Sequence, residues 1–279
     1  MYSVLNIIET ALREDLGPGD ITTNNLVPPD TEGKGIIIAR EPLVIAGLDV
    51  AKQVFESLDP KVIIKPAYKD GDSIEGGEVV LEIEGRLHAL LAGERTGLNF
   101  LQHLSGIATH VRSYADMLGD KNVQIVDTRK TTPGWLILEK YAVRVGGAYN
   151  HRMGLYDGVV IKANHIAVCG GVKNSIERIR NNVSHLVKTE VEVSDIDDVK
   201  EAIDAGADVI MLDCMTIDQI KEAVAFVDGR AVIEVAGKIS KSDLIPLADT
   251  GVDIISIGAL THQATCVDMT MQINLMLDA

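Results

Sequence analysis

The sequence has few cysteines and fewer positive than negative charges, and each of these features argues against certain classes of protein. Its 3 cysteines among 279 residues lie far apart, at positions 169, 214 and 266, and form no CxxC pair. This spacing argues against a disulfide framework and fits free thiols in a reducing compartment. The formal net charge is −15 at pH 7, so the surface as a whole should repel nucleic acid and anionic membranes. We therefore expect neither a nucleic-acid-binding protein nor a membrane-surface protein.

Signals for export and for membrane insertion are also lacking. The first 20 residues carry Glu9, Glu14 and Asp15 and show no basic stretch followed by an apolar core, so they do not resemble a signal peptide. No apolar run approaches the roughly 18 residues that span a bilayer. Hydrophobic residues make up 46% of the chain and charged residues 24%, which is an ordinary balance for a protein with a large buried core. We expect a cytoplasmic globular protein.

Several well-known catalytic motifs are missing. The chain has no HExxH, no histidines and cysteines at zinc-ligand spacing, no GxSxG and no Walker A loop. No GxGxxG follows the first strand, which disfavours a dinucleotide-binding fold.

The second half of the chain repeats a strand-then-helix pattern. Short β-branched runs end on a polar or charged residue and are followed by segments with apolar residues at helical spacing, where Thr216 is the expected N-cap and Gly206 and Gly229 are expected stops. Buried strands that alternate with amphipathic helices indicate a parallel sheet with helices outside it, and at least six such units in succession favour closure into a barrel. The expected strands are 123–126, 158–161, 186–193, 207–212, 231–235 and 252–257.

The first hundred residues show a different, α+β pattern. Residues 33–41 are typical of a strand, residues 48–58 of a helix, and residues 62–85 of antiparallel strands joined by tight Asp-Gly and Gly-Gly turns. The 71–85 stretch is faintly similar to biotinyl and lipoyl carriers, but the lysine that such carriers need on the exposed turn is missing. Residues 87–118 are helical, and we expect two helices separated near Ser105 and Gly106, linking the two domains.

Cationic residues cluster where the expected barrel would have its active site, at the carboxyl ends of the strands. Arg129 and Lys130 follow the first of these strands, Arg152 lies on the long loop, and Lys162 follows the next strand. Like charges gathered in one cleft favour a polyanionic ligand, and the arginine fork suits carboxylates and phosphates. The alternative is that each is an ordinary surface cation at the start of a loop.

Two acidic residues come next along the strand ends. Glu192 follows Glu190 at strand spacing, so both side chains point to one face, and Asp213 closes the following strand. Two such carboxylates can hold Mg²⁺ with its waters, bind sugar hydroxyls, or stabilise positive charge on a ribosyl ring. The alternative is that one of them pairs with Lys162 or Arg152, and both interpretations can hold together.

Two glycine turns follow the last strands, in VAGKIS (235–240) and SIGAL (256–260). Free backbone N–H groups between a strand and a helix make an anion site. The terminal strands of such barrels are where phosphate commonly binds. We therefore expect phosphate at these turns.

These motifs resemble those of the quinolinate phosphoribosyltransferase family, the carboxylating nicotinate-nucleotide pyrophosphorylases, over nearly the whole chain. The longest similar stretch is DTRKTTPGWLILEKYAVRVGGAYNHRMGLYDGVVIKANHI (127–166). The other similar stretches are 11–23, 39–51, 94–109, 191–194, 210–215 and 256–262. The resemblance implies an N-terminal α/β sandwich followed by an incomplete α/β barrel of about seven strands. We expect the sandwich with its linking helices over 1–110, the catalytic barrel over 111–270, and a tail over 271–279 that packs back on the N-terminal domain.

The resemblance also implies the site residues. Arg95 would be shared across the interface of a homodimer or a multiple of dimers. The family usually has a Ser-Gly-Gly turn where this chain has Ala236-Gly237-Lys238, a departure that Lys238 could offset with its charge. The substrate-binding residues would be Arg95, Thr128, Arg129, Lys130, His151, Arg152, Lys162, Glu192 and Asp213. The phosphate-binding residues would be Ala236, Gly237, Lys238, Ser256, Ile257, Gly258 and Ala259.

The reaction implied is phosphoribosyl transfer from phosphoribosyl pyrophosphate to quinolinate with decarboxylation, in de novo NAD biosynthesis. Glu192 and Asp213 would stabilise the ribosyl cation and engage Mg²⁺, either directly or through water. Lys130 or Lys162 could protonate the ring carbon that loses its carboxylate, so the expected catalytic residues are Lys130, Lys162, Glu192 and Asp213.

Three other functions stay open. A paralogue of the molybdenum-transport-associated type would use another acceptor. A different barrel enzyme would act on a phosphorylated sugar without releasing pyrophosphate. A non-catalytic anion-binding module would hold quinolinate without turnover.

Overall fold

A computed structural model describes residues 4–275, which form two compact units. The first unit runs to Arg112 and adds Thr132–Gly147 and the residues from Gln263 onward, and the second comprises Ser113–Thr131 and Ala148–His262. The helices are α1 (Val4–Leu16), α2 (Ile21–Leu26), α3 (Leu48–Leu58), α4 (Leu87–Leu118), α5 (Leu136–Gly146), α6 (Ala163–Cys169), α7 (Val172–Asn182), α8 (Ile196–Asp204), α9 (Ile217–Val227), α10 (Leu244–Ala248) and α11 (Ala259–His262). The strands are β1 (Glu32–Ala39), β2 (Leu43–Val44), β3 (Ile63–Pro66), β4 (Ser73–Ile74), β5 (Val79–Arg86), β6 (Gln124–Val126), β7 (Val159–Ile161), β8 (Thr189–Val193), β9 (Val209–Asp213), β10 (Val232–Ala236), β11 (Ile254–Ser256) and β12 (Met269–Leu275).

The first unit is built on a 4-stranded antiparallel sheet with strand order β12-β1-β5-β3. The strand β1 alternates buried and partly exposed residues, as expected for a sheet with one face on the core. The strand β12 pairs with β1 in the register Gly35↔Ile273, so the chain from Met269 to Leu275 belongs to this sheet. Of the tail expected over 271–279, residues 276–279 lie outside the described residues.

Two helices close over the core of the first unit. The helix α3 spans the residues predicted for it, 48–58, and its Phe55 is completely buried. A Cβ at Gly93 of α4 would lie only 2.7 Å from the Phe55 ring, so glycine at this position lets the two helices approach closely.

The helix α4 corrects one expectation. The sequence predicts a break near Ser105 and Gly106, yet α4 is one continuous helix of 32 residues. The helix continues through Gly106. A Cβ at this position would lie 2.1 Å from the carbonyl oxygen of Thr265. The glycine permits a close backbone approach, and the Ser105 hydroxyl accepts a hydrogen bond from the N–H of Ala46 at 3.0 Å.

The division into units differs from the boundaries expected at residues 110 and 270, because the helix α5 lies in the first unit. Arg112 donates from its Nε to the carbonyl oxygen of Gly146, at 3.1 Å. Its Nη2 donates to the carbonyl oxygen of Gly71, at 3.3 Å. Arg112 therefore joins the end of α5 to the rest of this unit.

The second unit contains the predicted parallel strands. Its 6-stranded sheet has the order β6-β11-β10-β9-β8-β7, and every pairing is parallel. An isolated parallel bridge joins Val126 of β6 to Tyr149, which adds a seventh, one-residue position beyond β6. This is the incomplete barrel of about seven strands that the sequence predicts.

The helices outside this sheet begin where their sequence predicts. Thr216 is the N-cap of α9, and its hydroxyl oxygen accepts a hydrogen bond from the backbone N–H of Gln219 at 3.3 Å. Asp195 caps α8 by accepting the N–H of Asp198 at 2.9 Å. The C-cap of α9 is Asp228, one residue before the expected stop at Gly229, and both residues have a positive φ. Among residues 4–275, no helix is both long and apolar enough to cross a membrane.

Candidate active site

A cavity of about 320 Å³ opens at the carboxyl ends of the parallel strands, within the second unit. It gathers cations, acids and small residues from six strand ends and the loop between β6 and β7, which is where a barrel of this type places its chemistry. Its lining comprises Thr128, Arg129, Lys130, His151, Arg152, Val160, Lys162, Glu192, Met211, Asp213, Glu234, Ala236, Gly237, Ser256 and Gly258.

A larger cavity, of about 530 Å³, lies in the first unit beside α1 and α4. Its lining includes Glu14 and Asp15 but no lysine, arginine or histidine. Polyanions are therefore better accommodated by the cavity of the second unit.

Lys130 is held at the cavity by its main chain rather than by its ammonium group. Its N–H donates to the Thr128 hydroxyl at 3.1 Å, and its carbonyl oxygen accepts the Thr261 hydroxyl at 2.7 Å. A Cβ at Gly258 would lie 2.8 Å from Cδ of Lys130, so a larger residue there would displace this flexible side chain. The Lys130 and Arg129 side chains make no hydrogen bond or ion pair with the residues that the structure describes, which leaves both cations available to a ligand.

Arg152 is the most enclosed cation of the cavity. Its Nη1 donates to the carbonyl oxygen of Gly158 at 2.8 Å. Burial, together with the nearby Arg129 charge, lowers the pKa of Arg152 from its usual value. Two guanidinium groups that repel one another in this way favour an anion between them.

Glu192 and Asp213 lie on neighbouring strands, β8 and β9, and both line the cavity. The ammonium group of Lys162, which follows β7, donates a hydrogen bond to the carboxylate of Glu192 and forms an ion pair with it. The alternative that one of the acids pairs with Lys162 therefore holds in the structure. Asp213 forms no ion pair with a lysine or arginine among residues 4–275. The Asp213 charge raises the pKa of the adjacent Cys214 thiol, and Cys214 has a positive φ of 56°.

Sequence reasoning named His151 and noted Glu190, but it missed Glu234 and the contact of both buried glutamates with His151. Glu190 is 7% exposed, Glu234 is 1% exposed, and His151 lies against both. The Nε2 atom of His151 is 3.1 Å from Oε2 of Glu190 and 3.6 Å from Oε2 of Glu234. Burial and the Glu190 charge raise the pKa of Glu234 to about 7. The available signal was a glutamate inside the otherwise apolar strand AVIEV (231–235).

Hydrogen bonds determine where the proton of His151 lies. Its Nδ1 accepts the backbone N–H of Arg152 at 2.8 Å, so Nδ1 carries no hydrogen. The neutral imidazole therefore carries its hydrogen on Nε2 and donates it to Glu190. Both ring nitrogens of this expected substrate ligand are engaged by the protein itself.

Two sets of residues offer metal-ligand atoms. The ligand atoms of His151, Glu190 and Glu234 lie within 4.8 Å of one another. A metal on Nε2 would need a hydrogen on Nδ1, where the backbone N–H of Arg152 already points, so the hydrogen bonding disfavours this set. Glu192 and Asp213 offer oxygen atoms at the open cavity, where water and ligand phosphates can complete the octahedral shell that Mg²⁺ prefers.

The residues expected to bind phosphate are only partly brought together. Ala236, Gly237, Ser256 and Gly258 line the cavity. Lys238, Ile257 and Ala259 do not, and the N–H of Ile257 is already donated to the carbonyl oxygen of Val126 at 2.9 Å. Arg95 lies in the first unit, on α4, with an exposed side chain.

Comparison with known proteins gives one consistent result. Residues 20–105 match the family model of the quinolinate phosphoribosyl transferase N-terminal domain, and residues 107–272 match that of its C-terminal domain. A probable nicotinate-nucleotide pyrophosphorylase (carboxylating) of Bacillus subtilis is 42% identical over 262 residues, covering 94% of this chain and 90% of that protein. Quinolinate phosphoribosyltransferase (decarboxylating) 1b of Nicotiana tabacum is 34% identical over 292 residues, covering 98% and 83%.

Solved structures agree with these similarities. The crystal structure of NadC from Streptococcus pyogenes superposes with a TM-score of 0.94 at 41% identity, covering 98% of this chain and 96% of that one. The nicotinate-nucleotide pyrophosphorylase from Francisella tularensis superposes with a TM-score of 0.93 at 36% identity, covering 97% and 96%. Sequence and fold are thus similar over nearly the full length of both chains.

Proposed function

This chain belongs to the quinolinate phosphoribosyltransferase family, and we propose that its barrel cavity joins quinolinate to phosphoribosyl pyrophosphate with loss of carbon dioxide. The products are nicotinate mononucleotide, pyrophosphate and carbon dioxide. The enzyme is a pentosyltransferase of NAD biosynthesis. The observation that carries the residue assignment is that Arg129, Lys130, Arg152 and Lys162 line one cavity together with Glu192 and Asp213.

The cationic side chains of the cavity bind quinolinate. Arg129 and Arg152 offer planar forks for its two carboxylates, and Lys130 adds a mobile ammonium group. Positioning the pyridine nitrogen in line with the ribose C1 can lower the barrier by several kcal/mol, of the roughly 7–11 that full orientation can give.

The acidic side chains of the cavity promote ribosyl transfer. The C1–oxygen bond to pyrophosphate breaks as the bond from the pyridine nitrogen to C1 forms, and positive charge develops on the ribose ring. Glu192 and Asp213 stabilise this charge electrostatically from the cavity wall. Because Lys162 pairs with Glu192, it also keeps that carboxylate in place.

Glu192 and Asp213 are the residues that would hold Mg²⁺, directly or through water. Their hard oxygen atoms at an open cavity fit this ion. When bound, Mg²⁺ neutralises the charge of the leaving diphosphate.

Decarboxylation then needs little help from the protein. Attachment makes the ring nitrogen positive, and the adjacent carbon–carboxylate bond breaks to release carbon dioxide. The electron pair stays on the ring carbon beside that nitrogen until a proton arrives. Lys130 or Lys162 supplies this proton, since both ammonium groups line the cavity.

The 5′-phosphate of the ribose is assigned to the turns after β10 and β11, through Ala236, Gly237, Ser256 and Gly258. Lys238, with its exposed side chain, adds charge beside the first turn, where the family usually has Ser-Gly-Gly.

The active enzyme is a homodimer or a multiple of dimers in the cytoplasm, and Arg95 of each subunit completes the site of its partner. The exposed Arg95 makes no hydrogen bond or ion pair within residues 4–275, which supports a role outside its own subunit.

The experiment is an acceptor panel. Pyrophosphate release from phosphoribosyl pyrophosphate is measured with quinolinate, with nicotinate and with other pyridine carboxylates. We expect that, of these acceptors, only quinolinate leads to pyrophosphate release. Release with another acceptor but not with quinolinate would indicate the paralogous activity, and quinolinate binding without any release would indicate an anion-binding module.

A further inference from the structure

We propose that Glu190 is a positioning residue, which holds the His151 imidazole and, through it, fixes the backbone of Arg152 for quinolinate binding. The buried Glu234 lies as a second carboxylate against the same imidazole. This inference rests on the proposed function, and it gives Glu190, which does not line the cavity, a role without contact to either substrate.

A chain of hydrogen bonds runs from Glu190 through His151 to the backbone of Arg152. Glu190 Oε2 lies 3.1 Å from Nε2 of His151, and Nδ1 of the same ring accepts the N–H of Arg152 at 2.8 Å. A single rigid ring therefore connects the strand β8 to the loop that carries Arg152. Because an aromatic ring has no internal torsion, a shift of Glu190 is transmitted to the Arg152 backbone.

A second set of hydrogen bonds holds the same loop. Asp127, which is completely buried, accepts the N–H of His151 at 2.9 Å and the side-chain amide of Asn150 at 2.6 Å. The Arg152 guanidinium is tied to the carbonyl oxygen of Gly158 at 2.8 Å. With His151 held by Glu190, the loop has fixed points before, at and after Arg152, as a residue that grips a carboxylate in one geometry requires.

Other roles fit the buried acids less well than positioning does. A role as metal ligands conflicts with the hydrogen on Nε2 of His151, as argued above. A role in attracting substrate conflicts with their sign, since both substrates are anions. Buried Oε1 atoms of Glu190 and Glu234 have no hydrogen-bond partner within the described residues, so each carboxylate is retained despite a desolvation cost. Holding the imidazole explains why Glu190 is present.

The test compares two replacements of Glu190. Glu190→Gln keeps an oxygen that can accept the Nε2–H of His151, whereas Glu190→Leu keeps a similar shape without an acceptor. We expect Glu190→Leu to raise the KM for quinolinate about tenfold or more, the effect of one lost hydrogen bond to a positioned group. Glu190→Gln should stay within about threefold of the wild type, and the KM for phosphoribosyl pyrophosphate should change little in both. Glu222→Leu, an exposed site on α9, is the matched control and should leave all constants unchanged.

Two results would overturn the proposal. If Glu190→Gln is as impaired as Glu190→Leu, the charge of Glu190 and not its hydrogen bond is what matters. If both variants keep the quinolinate KM of the wild type, Glu190 positions nothing.

A measurement on the wild-type protein keeps the proposal falsifiable if Glu190→Leu does not fold. The ¹⁵N spectrum of the imidazoles, with the His151 signal identified by its loss in His151→Gln, should show hydrogen on Nε2 and none on Nδ1. The opposite tautomer would contradict the proposal whatever the enzyme's activity. A wild type with the expected spectrum but no turnover would instead count against the proposed function alone.

Discussion

Lys130 and Lys162 differ at the scale of single residues, although both reach the same cavity. Lys162 is paired with Glu192, while the ammonium group of Lys130 makes no hydrogen bond or ion pair within residues 4–275. An ammonium group without a fixed carboxylate partner is the better placed to move toward a carbanion and release its proton. The two lysines can therefore be separated by the step that each one affects.

We expect Lys130→Ala to slow decarboxylation of preformed quinolinate mononucleotide, by about 100-fold or more if the lysine is the general acid. Carbon dioxide release from this compound isolates the second half of the reaction. Lys173→Ala, an exposed position on α7, serves as the control. Unchanged rates in both Lys130→Ala and Lys162→Ala would remove proton donation by either lysine from the mechanism.

Glu234 gives a prediction about pH. Its pKa is raised to about 7 from an ordinary value of 4.5, so the folded state binds its proton more tightly than the unfolded state does. The free energy of unfolding is therefore highest below the pKa that Glu234 has in the unfolded state. It falls as pH rises from about 4.5 to 7, and above pH 7 the full cost of burying the charged carboxylate is present. Glu234→Gln removes the charge, and its free energy of unfolding should exceed that of the wild type by on the order of 2 kcal/mol at pH 8 and by only about a quarter as much at pH 5. Urea unfolding at the two pH values measures this, and an equal difference at both would show that the charge is not responsible.

At the scale of elements, the helix α4 shows how far sequence patterns reach. Its apolar spacing predicts helix over 87–118, and the bounds agree, but the break predicted at Ser105 and Gly106 is wrong. Glycine has poor helix propensity, and propensity alone cannot reveal that a distant segment, residues 265–266, lies against this turn of the helix.

Gly106→Ala should for this reason destabilise the protein. Helix propensity by itself predicts a gain of about 1 kcal/mol. The new Cβ, however, would lie 2.1 Å from the Thr265 carbonyl oxygen, and the overpacking should cost about 2 kcal/mol or more. Gly97→Ala is the comparison, because its Cβ would meet only the edge of the Phe55 ring at 3.1 Å. Thermal unfolding measures both, and a more stable Gly106→Ala would contradict the packing.

The candidate site was predictable from the sequence to the extent that its residues end strands. Arg129, Lys162, Glu192 and Asp213 follow or close β-branched runs, and parallel strands bring such ends together. Glu234 was not predictable in this way, because it lies within a strand and points into the barrel. The place of α5 in the first unit was also hidden, since its apolar face fits the pattern of a barrel helix equally well.

At the scale of the whole molecule, the charge distribution is uneven. The chain carries a net charge of −15, yet Arg129, Lys130, Arg152 and Lys162 line one cavity. A cationic cavity in an acidic protein selects small anions that can enter it and repels larger polyanions from the surrounding surface.

The proposed dimer predicts complementation between two inactive variants. Arg95→Ala should inactivate the site of the partner subunit, and Glu192→Ala should inactivate the site of its own subunit. Mixed dimers then contain one intact site and one doubly defective site, so an equimolar, fully exchanged mixture should regain about a quarter of wild-type activity. Turnover before and after subunit exchange measures this, and a mixture that stays inactive would contradict a shared site.

The most direct measurement of the account is the stoichiometry of the reaction. Purified protein is given quinolinate labelled in the carboxylate next to the ring nitrogen together with phosphoribosyl pyrophosphate, and labelled carbon dioxide and pyrophosphate are counted in the same sample. Because four cations line one cavity together with Glu192 and Asp213, we expect the two products in equal amounts, and neither when one substrate is omitted. Carbon dioxide without pyrophosphate, or pyrophosphate without quinolinate, would contradict it.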